Sequence, residues 1–207
     1  SSLTLSFLGA VLYVLLFIFR RLGPLDFWWW MSANIALLVS LSLAWDRSYF
    51  FILQSDWRTD PWKKMGLGIL FGLVLYFLFY AGNILSRQIF PFAAAGIHQV
   101  YSFRRGASPL RIFLLIFFLI GPAEEVFWRG FIQRCWQARF GPLAGWLLAT
   151  ALYSLVHMGS ANAMLILAAL ACGLFWGALY LRFRSVLLVA VSHTLWDILI
   201  FVLFPLG

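Results

Sequence analysis

The chain has 207 residues, of which 64% are hydrophobic, and a mean hydropathy of +0.93. A soluble domain is about 45–50% apolar, so these values exclude an ordinary water-soluble globule and require a bilayer to solvate part of the surface. The net charge of +8 sits in short connectors between apolar runs, which points to anionic lipid headgroups and not to nucleic acid.

Spans of about 20 apolar residues follow one another along the chain. The first runs from Leu3 to Phe19 and is closed by Arg20-Arg21 and Gly23-Pro24. No small-residue cleavage site follows it, so it reads as a retained helix and not a signal peptide. The second runs from Phe27 to about Trp45, with Trp28-Trp29-Trp30 as an interfacial anchor. A polar connector is expected from Asp46 to Lys64, then a third helix from about Met65 to Leu85. The stretch from Arg87 to Arg111 holds Pro91, Gly96, His98, Arg104-Arg105 and Pro109. It is too polar for a simple span and predicts an interfacial or re-entrant segment, with His98 as an interfacial residue. The fourth helix starts near Leu110, passes Gly121-Pro122 and continues to about Gln137. The fifth covers Pro142 to His157, the sixth ends near Leu181, and the seventh covers Val186 to Phe204. The expected fold is therefore all-α: a polytopic transmembrane helical bundle of about seven spans plus the interfacial or re-entrant segment, forming a single domain over 1–207. Cys135 and Cys172 lack metal-ligand or disulfide-framework spacing and read as small packing residues.

Four of the seven acids lie in connectors or at helix ends; the other three, Glu124, Glu125 and Asp197, lie within apolar runs. Arg129, His157 and His193 accompany them. An acid or arginine at mid-helix costs roughly 2.5–3.5 kcal/mol on insertion scales, so such groups face a bundle interior or a wet cavity. Glu125 and Arg129 are four apart and share a helix face, as do His193 and Asp197. Glu124 is rotated about 100° from Glu125 and is left without a local cation, facing a cavity. Pro122 frees a carbonyl just before the pair and bends the helix open. Each pair alone is compatible with a structural role. A cavity common to three helices accounts for all of them together.

These residues resemble a known family. Glu124-Glu125-Val126-Phe127-Trp128-Arg129 resembles the E-E-x-x-x-R motif of the CAAX-protease/bacteriocin-processing (CPBP, Abi-type) intramembrane glutamic endopeptidases, which include the type II CAAX prenyl endopeptidases. Tyr153-Ser154-Leu155-Val156-His157 resembles their F-x-x-x-H motif, with Tyr153 in place of Phe, and His193-Thr194-Leu195-Trp196-Asp197 their H-x-x-x-N/D motif. The resemblance covers about half the chain, 110–205, as a catalytic core behind a variable N-terminal set of helices, 1–109. It implies a hydrolase of a membrane-tethered substrate: a C-terminal sorting helix, a peptide precursor or a prenylated C-terminus. It implies that Glu124 and His157 hold and deprotonate a water, that His193 with Asp197 stabilises the oxyanion, and that Glu125, Arg129 and Tyr153 support them. Asp197 stands where the prenyl endopeptidases have Asn. An ionised Asp cannot donate to an oxyanion, so it is either protonated by burial or serves to orient His193.

The resemblance implies no metal and no cofactor, and a multi-pass protein of the bacterial inner membrane. Two other readings use the same residues. Glu, His, His and Asp are acceptable zinc ligands, although no H-E-x-x-H is present. Buried carboxylates and histidines also serve proton relays in transport or immunity proteins, although no internal repeat is visible.

Overall fold

A computed structural model describes residues 2–206. Among them no strand forms, and nine helices follow in chain order. α1 is Ser2–Phe19, α2 Phe27–Trp45, α3 Arg47–Arg58, α4 Pro61–Ile89 and α5 Ala93–Tyr101. α6 covers 109–140 and changes pitch as it goes. It is α-helical over Pro109–Leu115, Gly121–Glu125 and Arg134–Phe140, with wide π turns over Ile116–Ile120 and Val126–Gln133. α7 is Pro142–Val156, continued by a tight turn at His157–Ser160. α8 is Ala163–Phe183, and α9 is Val186–Ile198 with a π turn over Leu199–Leu203.

Six stretches are long and apolar enough to cross a membrane: α1, α2, α4, α7 with its tight turn, α8 and α9 with its π turn. The charges of α6 remove it from that set, although it runs the length of a span. α2 begins and ends at the acids that bracket it. The Asp26 carboxylate accepts from the backbone N–H groups of Trp28 and Trp29, satisfying donors that the first turn leaves open. Two expectations change. The polar connector 46–64 is mostly helix: α3 lies there, and α4 starts at Pro61, not near Met65. Pro61 suits a first helical turn, where no backbone N–H is needed, and Lys64 reaches back to Asp56 on α3. The stretch 87–111 holds α5 and one 3-10 turn, Ser102–Arg104, too short to cross.

α9 is the centre of the bundle: 72% of its span is buried, against 17% for α4. α4 nevertheless lies flush on α9, because Gly68 has no Cβ. An added carbon there would come within 2.7 Å of the Leu188 carbonyl and 2.8 Å of Val191 Cβ. Gly121 does the same for α6, where an added Cβ would lie 2.9 Å from Thr194 Cα on α9. These contacts bring Glu124 and Glu125 beside His193. Polar pairs tie the helix ends. Arg134 meets Asp46 at 2.6 Å and Lys64 meets Asp56 at 2.8 Å, while Asp56 also accepts from the Leu187 N–H at 2.8 Å. Arg111 pairs with Asp26. Large exposed side chains such as Phe7, Phe77 and Phe118 cover the outside, a surface suited to lipid.

Candidate active site

Every ionisable residue that the sequence places inside the apolar runs is buried: Glu124, Glu125, Arg129, His157, His193 and Asp197. Four of them, Glu124, His157, His193 and Asp197, line one cavity of about 90 Å³, together with Tyr153. That volume holds a few waters. Trp28, Phe27 and Phe17 supply apolar wall from α1 and α2, and Phe103 closes it from the segment after α5.

Glu125 does not line the cavity. Its Oε1 accepts from Arg129 Nη1 at 2.7 Å, as the four-residue spacing predicts. The same oxygen lies 2.7 Å from His193 Nδ1. A carboxylate that accepts from a guanidinium also accepts from the imidazole, so Nδ1 carries the hydrogen and Nε2 is turned to the cavity. His193 Nε2 lies 3.5 Å from Asp197 Oδ2 and 3.7 Å from Glu124 Oε2. The hydrogen bond that orients His193 thus comes from Glu125 on another helix, while Asp197, on its own face, stands a little further off. The Trp176 indole stacks on the His193 ring, with centroids 3.8 Å apart and planes 24° apart. The Arg129 guanidinium lies over the rings of Tyr153, at 4.5 Å, and Trp176, at 5.4 Å. Such contacts help a buried cation keep its place.

His157 is set by its own helix. Its Nδ1 lies 2.7 Å from the Tyr153 carbonyl, one turn back. A carbonyl only accepts, so Nδ1 donates and Nε2 is left with a lone pair. The rings of Phe17, at 4.6 Å, and Tyr153, at 5.0 Å, pack against this imidazole. Glu124 has no arginine or lysine beside it, but it is not without a partner. The Tyr13 hydroxyl donates to its Oε1 at 2.6 Å.

Two participants escape sequence reasoning. Tyr13 is one tyrosine in an apolar helix 111 residues away from Glu124, and nothing in its local pattern marks it. Trp176 sits among the small and apolar residues of α8 and reads as core. Of the two cysteines, Cys172 is buried and lines the cavity, and Cys135 is half-buried; both are free. His98 is exposed on α5. Among the described residues no group of three or more His, Cys, Asp or Glu side chains is arranged to hold a metal ion.

The fold and site thus define a class: a polytopic helical membrane protein in which a carboxylate and two imidazoles from three helices meet in a small buried cavity. The family model that matches is described as Type II CAAX prenyl endopeptidase Rce1-like, over residues 106–199. That segment, from just before α6 to the end of α9, is similar to this family and contains all seven motif residues. α1, α2 and Tyr13 lie outside it. Comparison with curated proteins and with solved structures returned no match.

Proposed function

We propose that the chain is an intramembrane endopeptidase that cuts a membrane-tethered peptide by a water activated between Glu124 and His157. The observation that carries this reading is the shared cavity. Glu124 offers one oxygen there with the other occupied by Tyr13, and His157 offers Nε2. Peptide hydrolysis needs a base for water, a donor for the oxyanion and a proton for the departing amine.

Glu124 takes a proton from the water as its oxygen bonds to the scissile carbonyl carbon, with His157 Nε2 accepting the water's other hydrogen bond. Charge develops on the carbonyl oxygen, and a proton on His193 Nε2, beside Asp197, faces that charge. The C–N bond then breaks. Glu124 returns its proton to the leaving nitrogen, giving an amine and a carboxylic acid terminus. Glu125 and Arg129 keep the His193 ring from turning.

What adjoins the cavity supports a substrate class. A larger groove of about 400 Å³, lined by side chains such as Leu78, Phe79, Ile97 and Phe175, shares Trp196 and Phe201 with it. An apolar tether fits that groove with its peptide end toward Glu124. A C-terminal sorting helix, a peptide precursor and a prenylated C-terminus all have this form, and a bacterial inner membrane is the setting we assign.

The test compares membrane peptides, by mass spectrometry, from cells making the wild type or Glu124→Gln. Cleavage fragments should disappear from the variant, because loss of a general base lowers the rate about 10²–10⁴-fold. Fragments of equal abundance, at equal protein levels, would overturn the assignment. Proton-coupled flux in vesicles without any cleavage would favour a relay.

A further inference from the structure

We propose that α1 is a positioning element of the site, with the Tyr13 hydroxyl fixing the Glu124 carboxylate for its work on water. The inference deepens the endopeptidase reading and rests on it. α1 lies outside the segment that matches the family model.

Tyr13 and Phe17 are four residues apart and share one face of α1. Tyr13 donates to Glu124 at 2.6 Å, and the Phe17 ring packs on the His157 ring at 4.6 Å. One helical face therefore addresses both residues proposed to hold the water. The placement is over-determined. The Tyr13 ring is fully buried and sits edge-on to Trp128 at 5.5 Å, four residues from Glu124 on α6. Asn34 of α2 donates to the Leu12 carbonyl at 3.2 Å, holding the backbone next to Tyr13. The turn that carries His157 lies directly on this part of α1: an added Cβ at Gly159 would come within 2.5 Å of the Val14 carbonyl.

The consequence for Glu124 is geometric. A carboxylate at the end of a flexible side chain samples several rotamers. With Oε1 held by a donor from α1, the other oxygen stays directed toward His193 and the cavity. Tyr13 is a neutral donor, so it orients the carboxylate without itself neutralising it. Tyr13 itself need not touch substrate; it acts through Glu124.

The experiment uses the full chain in vesicles with a tagged membrane-anchored substrate. Tyr13→Phe keeps the ring and removes the oxygen. It should lower kcat about 10–100-fold with KM unchanged, the size expected when one hydrogen bond to a charged group is lost. Fluorotyrosines installed at position 13 should return activity in step with hydroxyl acidity, which a packing role would not do. Tyr49→Phe is the control. It loses a buried hydroxyl that donates to the Val126 carbonyl at 2.6 Å, and it should keep kcat.

Infrared spectroscopy gives a readout that needs no turnover: the carboxyl band that vanishes in Glu124→Gln should shift in Tyr13→Phe. If the wild type cleaves but Tyr13→Phe matches it in kcat and in that band, this inference is overturned. If the wild type cleaves nothing while the band still shifts, the endopeptidase reading falls, and the catalytic role of Tyr13 falls with it.

Discussion

Removing Arg129 should cost more than removing Arg129 and Glu125 together. The two side chains are 3% and 0% exposed and meet at 2.7 Å. At an effective dielectric constant of 20, two unit charges 4 Å apart attract by about 4 kcal/mol. Arg129→Leu forfeits that attraction and strands a buried carboxylate, for which about 3–5 kcal/mol is the usual penalty. It also removes the cation from above Tyr153 and Trp176. The double variant Glu125→Leu/Arg129→Leu leaves no uncompensated charge. Its main debit is the unpaired Nδ1 of His193, about 1–3 kcal/mol. The double variant should therefore be the more stable of the two, by about 2 kcal/mol on these figures. Unfolding in mixed micelles with rising sodium dodecyl sulfate, followed by tryptophan fluorescence, measures this directly. Both variants should be inactive, since His193 loses its orienting acceptor or the charge that fixes it. A single variant costing under about 1 kcal/mol, or a double variant worse than the single, would refute the view that Glu125 is ionised and held by Arg129.

Two more outcomes follow from the geometry. Gly121→Ala puts a carbon against Thr194 and must push α6 away from α9. Because a displacement of about 1 Å in catalytic geometry costs on the order of 100-fold, turnover should fall by that order while the variant still folds; equal turnover would show that the α6–α9 approach is not needed. Exhaustive chelation should leave turnover unchanged, because among the described residues no group of three or more His, Cys, Asp or Glu side chains is arranged to hold a metal ion. Activity that is lost on chelation and restored by zinc would replace the glutamate-activated water with a metal-bound one.

Where the chain changes polarity sharply, the elements were readable. α2 lies between Asp26 and Asp46, and its limits coincide with the apolar run. α4 was harder. Its first turn carries Pro61, Lys63 and Lys64, which resemble a connector by composition although each is compatible with a helix start or a snorkelling stem. α3 has no apolar signature, so hydropathy alone does not delimit it, whereas α6 runs 109–140, close to the expected helix from Leu110 to about Gln137. The same contrast holds in the site. Spacing within one helix foretells the Glu125–Arg129 pair. It also favours Asp197 as the partner of His193, but His193 takes its 2.7 Å contact from Glu125 across the bundle and stands 3.5 Å from Asp197. A period of 3.6 residues describes neighbours on one helix and carries no information about which faces of separate helices meet.

The two adjacent glutamates show why that cross-helix information decides the chemistry. Both lie in the apolar interior, where a bare carboxylate is costly. Glu125 is compensated by a cation and an imidazole N–H converging on one oxygen, an arrangement that fixes it and takes up its charge. Glu124 receives a neutral donor from α1, stands 3.7 Å from His193 Nε2 and otherwise faces the cavity. A carboxylate locked into an ion pair is a poor base, whereas one oriented by a hydroxyl retains an oxygen able to accept a proton from water. The division of labour between two identical side chains is thus set by what α1, α6 and α9 each present to them. Taking the donor from Glu124 should therefore lower kcat about 10–100-fold, whereas taking the cation from Glu125 should abolish activity.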